Sequence, residues 1–240
     1  MMPVRNYASI MLWIVLFPLL VMVGNVIIIM EGALLLLNLY TLPWLSTFLR
    51  YVPSYTIMIT GILLIARWKS KKGIAETIKY LGWPYDRIDA VIAFAAGTVT
   101  GFLNVFLILG VLLLQVVVVQ SLSVGFSTTA LAVALAGPPE ELARCYIQKN
   151  LAGSIIKCRN TAPCKAVTII VMTTTFGLTH EISRFVLNLG TGSTPFFSAQ
   201  DLGWYIGGFV LASLYVVMKS WFANSVAHAW YNVIISFFLH

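Results

Sequence analysis

The sequence predicts an all-α fold: a polytopic transmembrane helix bundle of about seven spans (six to eight). Three observations lead there. Of the 240 residues, 60% are hydrophobic and only 10% are charged, whereas soluble domains carry about 25% charged residues. The mean hydropathy is +0.91, and apolar runs near the roughly 20 residues needed to cross a bilayer recur along the chain. Lipid offers no partner to free backbone groups, so such runs must cross as helices. The length leaves room for one integral membrane domain over 1–240 and no attached soluble domain.

Taken in order, "MMPVRNYASIMLWIVLFPLLVMVGNVIIIM" holds one Arg and then an apolar run longer than the core of a cleavable signal, so 8–30 reads as a retained first span. The first run ends at Glu31, and residues 33–53 are apolar but broken by Pro43, Arg50 and Pro53, and fit a hairpin, a re-entrant piece or an interfacial helix. A short second span covers 54–66, with a backward extension open. Residues 67–87 are basic, and 73–83 are amphipathic with Trp and Tyr, as in a helix lying at the interface. The third span lies within 88–119, the fourth at about 128–151, the fifth at about 166–189, the sixth at about 203–218 and the seventh from 220 to the end. Trp13, Trp44, Trp204 and Trp221 read as interface anchors.

The net charge of +7 sits in short loops beside apolar runs, which is how topology is set and does not call for nucleic acid as a partner. With the N-terminus cytoplasmic, 67–87, 154–165 and Lys219 are inside and hold most of the Lys and Arg, while 31–53, 120–127 and 190–202 are outside and hold only Arg50. The cysteines Cys145, Cys158 and Cys164 show no paired metal-ligand spacing. Cys158 and Cys164 fall in a loop placed in the cytoplasm, where reduced thiols are expected.

Within the spans, Glu140, Glu141, Arg144, Lys149, His180, Glu181, Arg184 and His228 are ionisable. Lys149 can snorkel to the edge. The others are costly in lipid and should face one another or a wet cavity. In "GPPEELARCYIQ" (137–148), Pro138 and Pro139 remove two backbone donors and are expected to bend the helix just before the carboxylates. Glu140 and Arg144 are four apart and can pair. Glu141 is turned about 100° from Glu140, so one can face a cavity while the other is held elsewhere. Phe176 and His180 share a face in "FGLTHEISR", and Asn224, His228 and Asn232 form one polar stripe in "NSVAHAWYN". Asn224 suits a helix–helix hydrogen bond, and Glu181 with Arg184 suits a structural pair. A carboxylate can act as a general base toward water, an imidazole can carry the proton, and an imidazole with a carboxamide can stabilise an oxyanion. Two histidines and a glutamate can also bind zinc.

"EELAR", "FGLTH" and "HAWYN" resemble the three signatures of the CAAX prenyl endopeptidase and bacteriocin-processing group, the CPBP or Abi family, in family order over roughly 125–240. The resemblance implies an intramembrane endopeptidase with its catalytic core in 125–240. It implies a peptide cut near the C-terminus of a lipidated, CAAX-like or membrane-embedded substrate. It further implies that Glu140 and His180 activate a water, that His228 and Asn232 stabilise the oxyanion, that Arg144 and Phe176 bind substrate or support the site, and that no cofactor is needed, with zinc as the alternative. One departure stands: the family has three residues between the second Glu and the Arg, and this chain has two, Leu142 and Ala143. The choice between Glu140 and Glu141 as base, and the role of Arg144, therefore stay open. The competing readings are a catalytically silent membrane protein that binds peptide or lipid, as in immunity or scaffolding, and a proton-coupled transporter. The absence of a second "PPEE" break counts against paired transporter halves.

Overall fold

The computed structural model describes residues 43–114, 128–155, 161–188 and 201–238, and among these every regular element is a helix. The expected first span, 8–30, lies outside the described residues. Helix α1 (Pro43–Ser70) begins on a proline, which suits the first helical position because its missing N–H would go unpaired there anyway. It runs without interruption through Pro53, so the helix over 54–66 extends backward to Pro43, across the described part of the stretch that the sequence left ambiguous.

Helix α2 (Ile74–Tyr80) falls within the amphipathic stretch 73–83. It stops at Gly82, whose φ of +101° suits glycine alone and whose Cα faces the Lys219 carbonyl so closely that no side chain fits. Ser220 Oγ donates to Gly82 O at 2.9 Å, tying this stop to a turn elsewhere in the chain. Five long helices follow: α3 (Arg87–Leu114), α4 (Thr128–Ile155), α5 (Ala162–Asn188), α6 (Asp201–Met218) and α7 (Trp221–Phe238). Among the described residues, three segments are long and apolar enough to cross a membrane: Arg87–Gly110, Ala162–Ile182 and Asp201–Met218.

Helix α7 lies between α3 and α4, α5 packs on α6, and α1 packs on α4. Small residues set the α3–α7 seam. A Cβ on Gly101 would meet Ala227 O and Trp230 Cβ at 2.8 Å each, and Gly97 sits equally tightly on Ala223. This is the small-xxx-small contact that lets membrane helices approach backbone to backbone. One core cluster joins Ile62 and Ala66 of α1, Leu142 and Tyr146 of α4, Met172 of α5 and Ala212 of α6. Ile88, Val91, Ile92, Phe94 and Phe106 of α3 point outward and are exposed, as a lipid-facing flank requires.

Helix α4 continues through Pro138 and Pro139; the two missing donors cost two backbone hydrogen bonds, and the flanking turns carry the helix past them. One expectation needs correction. Cys164 is disulfide-bonded and not a reduced thiol. Compartment alone says nothing of whether a second sulfur lies within bonding geometry, and that geometry decides the bond.

Candidate functional site

Helix α4 carries Glu140 and Glu141, and the 100° turn between successive residues sends them to different places. Glu141 is fully buried (0% exposed). Its Oε2 accepts from Arg144 Nε at 2.8 Å and also from Arg144 Nη2, and from Asn224 Nδ2 at 3.1 Å. Its Oε1 accepts from His228 Nδ1–H at 3.0 Å. Arg144 is anchored further, donating from Nη1 to Gln148 Oε1 at 2.9 Å and from Nη2 to Leu211 O at 3.2 Å. Asn224 also donates to Leu211 O, at 2.7 Å, which is the interhelical role expected of it. Arg144 therefore pairs with Glu141, three residues away, and not with Glu140 as the four-residue spacing suggested. Both spacings put side chains on a common face, and Glu140 is committed to the opposite direction.

Glu140 points into a cavity of about 220 Å³ enclosed by α3, α4, α5, α6 and α7. Its side chain remains 19% exposed, and Oε2 lies 3.9 Å from His180 Nε2 and 3.9 Å from His228 Nε2. These separations are too long for direct hydrogen bonds. They leave the carboxylate and both ring nitrogens facing the same space.

The imidazoles are held from behind. His180 Nδ1–H donates to Phe176 O at 2.9 Å, because a carbonyl can only accept. His228 Nδ1–H is held by Glu141 in the same way. In both rings it is Nε2 that addresses the cavity. The bond at one ring nitrogen thus fixes which atom the other presents to the cavity. Phe176 packs on His180 with ring centroids 4.3 Å apart, and lies 6.0 Å from His228 edge-on. Gly208 of α6 leaves room for it, since a Cβ there would meet Phe176 at 3.1 Å. Asn232, one turn beyond His228, also lines the cavity. Gly137, one turn before Glu141, would carry its Cβ 3.2 Å from Ala229 N, so the glycine lets α4 approach α7 closely enough for these contacts.

Of the residues singled out in the sequence, Glu140, Phe176, His180, His228 and Asn232 line one cavity, and Glu141 and Arg144 stand behind it. Glu181 is fully buried and does not reach the cavity. The side chain of Arg184 lies outside the described residues. Among the described residues no group of three His, Cys, Asp or Glu stands at metal-holding distance.

Among the cavity residues that sequence reasoning missed, Trp204 and Asn104 carry the most chemistry. Trp204, read as an interface anchor, stacks on His180 with centroids 5.4 Å apart and lines the cavity; interfacial depth and a site wall look alike in sequence. Asn104 of α3 lines the cavity at 1% exposure, and both its carboxamide atoms lack a hydrogen-bond partner among the described residues. Asn104 and Gln115 are the two carboxamides within 88–119. The cost of a polar group in lipid was the signal available.

The fold and the cluster together define a helical membrane protein with a carboxylate–imidazole cavity between its helices. Residues 121–234, which contain every cavity residue from α4, α5, α6 and α7, match the family described as Type II CAAX prenyl endopeptidase Rce1-like. The match makes this segment, just under half of the chain, similar to that family. No curated protein and no solved structure matches the chain.

Proposed function

We propose that the chain is an intramembrane endopeptidase that hydrolyses a peptide bond near the C-terminus of a lipidated, CAAX-like or membrane-embedded substrate, with Glu140 as the base. The observation that carries this reading is the placement of Glu140 Oε2 at 3.9 Å from two imidazole nitrogens across one cavity. A gap of that length suits one bridging water.

In this mechanism a water between Glu140 and His180 gives its proton to the carboxylate as its oxygen attacks the scissile carbonyl carbon. The carbonyl π bond opens and the electron pair settles on oxygen. His228, protonated at Nε2 while Glu141 holds Nδ1–H, and Asn232 donate to that oxyanion. The C–N bond then breaks, the electron pair returns to form the new carboxyl group, and the proton held by Glu140 passes to the departing amine. Glu141 and Arg144 serve as positioning residues: they fix the His228 ring and touch no reacting atom. Asn104 offers both a donor and an acceptor at the cavity wall, which matches the peptide group of a bound substrate.

The chain would be a multi-pass membrane protein with its N-terminus on the cytoplasmic side, because the basic residues of 67–87 and Lys219 gather at one end of the bundle. The test is cleavage of a farnesylated Cys-a-a-X peptide by purified protein in detergent, wild type against Glu140→Gln. Cleavage lost only in the variant supports the reading. Cleavage that survives removes Glu140 from the chemistry. A folded wild type that cuts no lipidated peptide favours the binding or scaffolding alternative.

A further inference from the structure

A second, larger cavity of about 520 Å³ opens at one end of the bundle, away from Glu140. Four lysines line it: Lys72 beyond α1, Lys79 of α2, Lys149 of α4 and Lys219 in the turn between α6 and α7. Glu76 is the one carboxylate among its lining residues. Loops on the inner side of any membrane protein are basic, so charge alone says little. Here, though, the cations arrive from four separate parts of the chain and converge on a concave space.

The fold spends specific contacts on this convergence. Lys149 Nζ donates to Tyr80 O and stands 3.5 Å from the centroid of the Tyr80 ring. Lys72 stands over the same ring at 5.2 Å, and Lys79 over Tyr85 at 5.3 Å. Lys149 lies within electrostatic reach of Lys72 and Lys219. The turn that presents Lys219 has φ +50° at that residue and is tied to Gly82 through Ser220. Lys149 is half-buried and the other three lysines are exposed; like charges gathered around one concave space repel, and an anion between them relieves the repulsion.

The depth of the cavity identifies the anion. Lys219 directly follows the membrane-capable segment Asp201–Met218, and Tyr85 lies just before Arg87–Gly110, so the cavity sits at headgroup level. Ile74, Trp83 and Tyr85, on and just after α2, are exposed, which is how an interfacial helix meets acyl chains and glycerol. We propose that this lysine cavity binds the phosphate-bearing headgroup of an anionic phospholipid. The volume exceeds what a bare phosphate fills and leaves room for the glycerol or polyol attached to it. The site is independent of the peptidase cavity and of its chemistry.

The experiment uses full-length protein in detergent and native mass spectrometry to count and compete bound phosphatidylglycerol, with phosphatidylcholine as the neutral reference and inorganic phosphate as the soluble probe. Lys72→Gln with Lys79→Gln removes two cations from the cavity rim. Lys71→Gln with Lys165→Gln removes the same charge from positions that do not line it. A lysine near an anionic surface is worth roughly fivefold in affinity, so the rim pair should lose about thirtyfold. The control pair should lose less than about threefold. Glu76→Gln, which removes the opposing charge, should tighten binding by a similar single-residue factor. Equal losses in the two double variants, or no gain in Glu76→Gln, would overturn the site. Displacement of phosphatidylglycerol by millimolar inorganic phosphate, with phosphate binding as well alone, would overturn the lipid as the source.

Discussion

Glu140→Gln and Glu141→Gln should fail in opposite ways, and the difference can be worked from the contacts. Both substitutions keep the shape of the side chain and remove its charge. Glu141 is fully buried and accepts from Arg144 twice, from Asn224 and from His228. Without its charge, the guanidinium of Arg144, itself fully buried, has no counter-ion. Breaking one side of a buried ion pair costs about 3–5 kcal/mol. For a chain of this size about 1 kcal/mol moves Tm by roughly 2–4 °C, so Glu141→Gln should melt about 10 °C or more below wild type. Glu140 has its nearest ionic partners at 3.9 Å and keeps part of its surface open to the cavity, so Glu140→Gln should stay within about 2 °C of wild type. Activity should reverse the order. Loss of a general base costs roughly 100- to 10,000-fold in kcat, and Glu140→Gln should show it at full occupancy of folded protein. The assay pairs thermal unfolding in detergent with cleavage of a fluorogenic farnesylated peptide. A stable Glu141→Gln enzyme with abolished kcat, beside a Glu140→Gln enzyme that still turns over, would refute the division of labour between the two carboxylates.

Asn232→Ala removes one proposed oxyanion donor and should lower kcat by roughly 100- to 1,000-fold with little change in KM; steady-state kinetics on the same peptide decides it. Asn104→Ala should leave Tm unchanged or slightly raised, because it deletes a buried group with no described partner. It should lower kcat/KM by about tenfold, through KM, if its amide meets the substrate through one or two hydrogen bonds. Gly101→Val forces a side chain into Ala227 O and Trp230 Cβ and should destabilise the protein by about 1–3 kcal/mol; a Tm equal to wild type would show that the α3–α7 seam does not depend on close approach.

Much of the bundle was legible because hydropathy and charge act residue by residue. The apolar run within 88–119 becomes α3, and the basic amphipathic stretch 73–83 becomes the short helix Ile74–Tyr80. The polar cluster was legible for a different reason: an ionisable side chain in lipid is so costly that its presence is itself a message. What stayed hidden depended on partners distant in sequence. Asn104 has no periodic companion on its helix, and only the folded α3–α7 contact brings it to the wall shared with His228. Trp204 carries the same chemistry whether it faces headgroups or His180. The GxxxG pair Gly97 and Gly101 was written plainly in "GTVTG", but its partners Ala223 and Ala227 lie more than a hundred residues away.

The shortened spacing between the glutamate pair and the arginine is explained by the same geometry. What the network needs is a guanidinium on the face of Glu141, close enough to hold Oε2 while Oε1 holds His228. On a helix that condition is met by a residue three or four positions on, because both lie within about 60° of the first. With two intervening residues Arg144 meets it at the third position and then reaches on to Gln148 and to the Leu211 carbonyl. Moving the arginine one position further would keep the pairing with Glu141 but change which α6 carbonyl it meets. The spacing therefore tunes how α4 is pinned to α6, while the orientation of the His228 ring, on which the proposed oxyanion contact depends, is set by Glu141 in either arrangement.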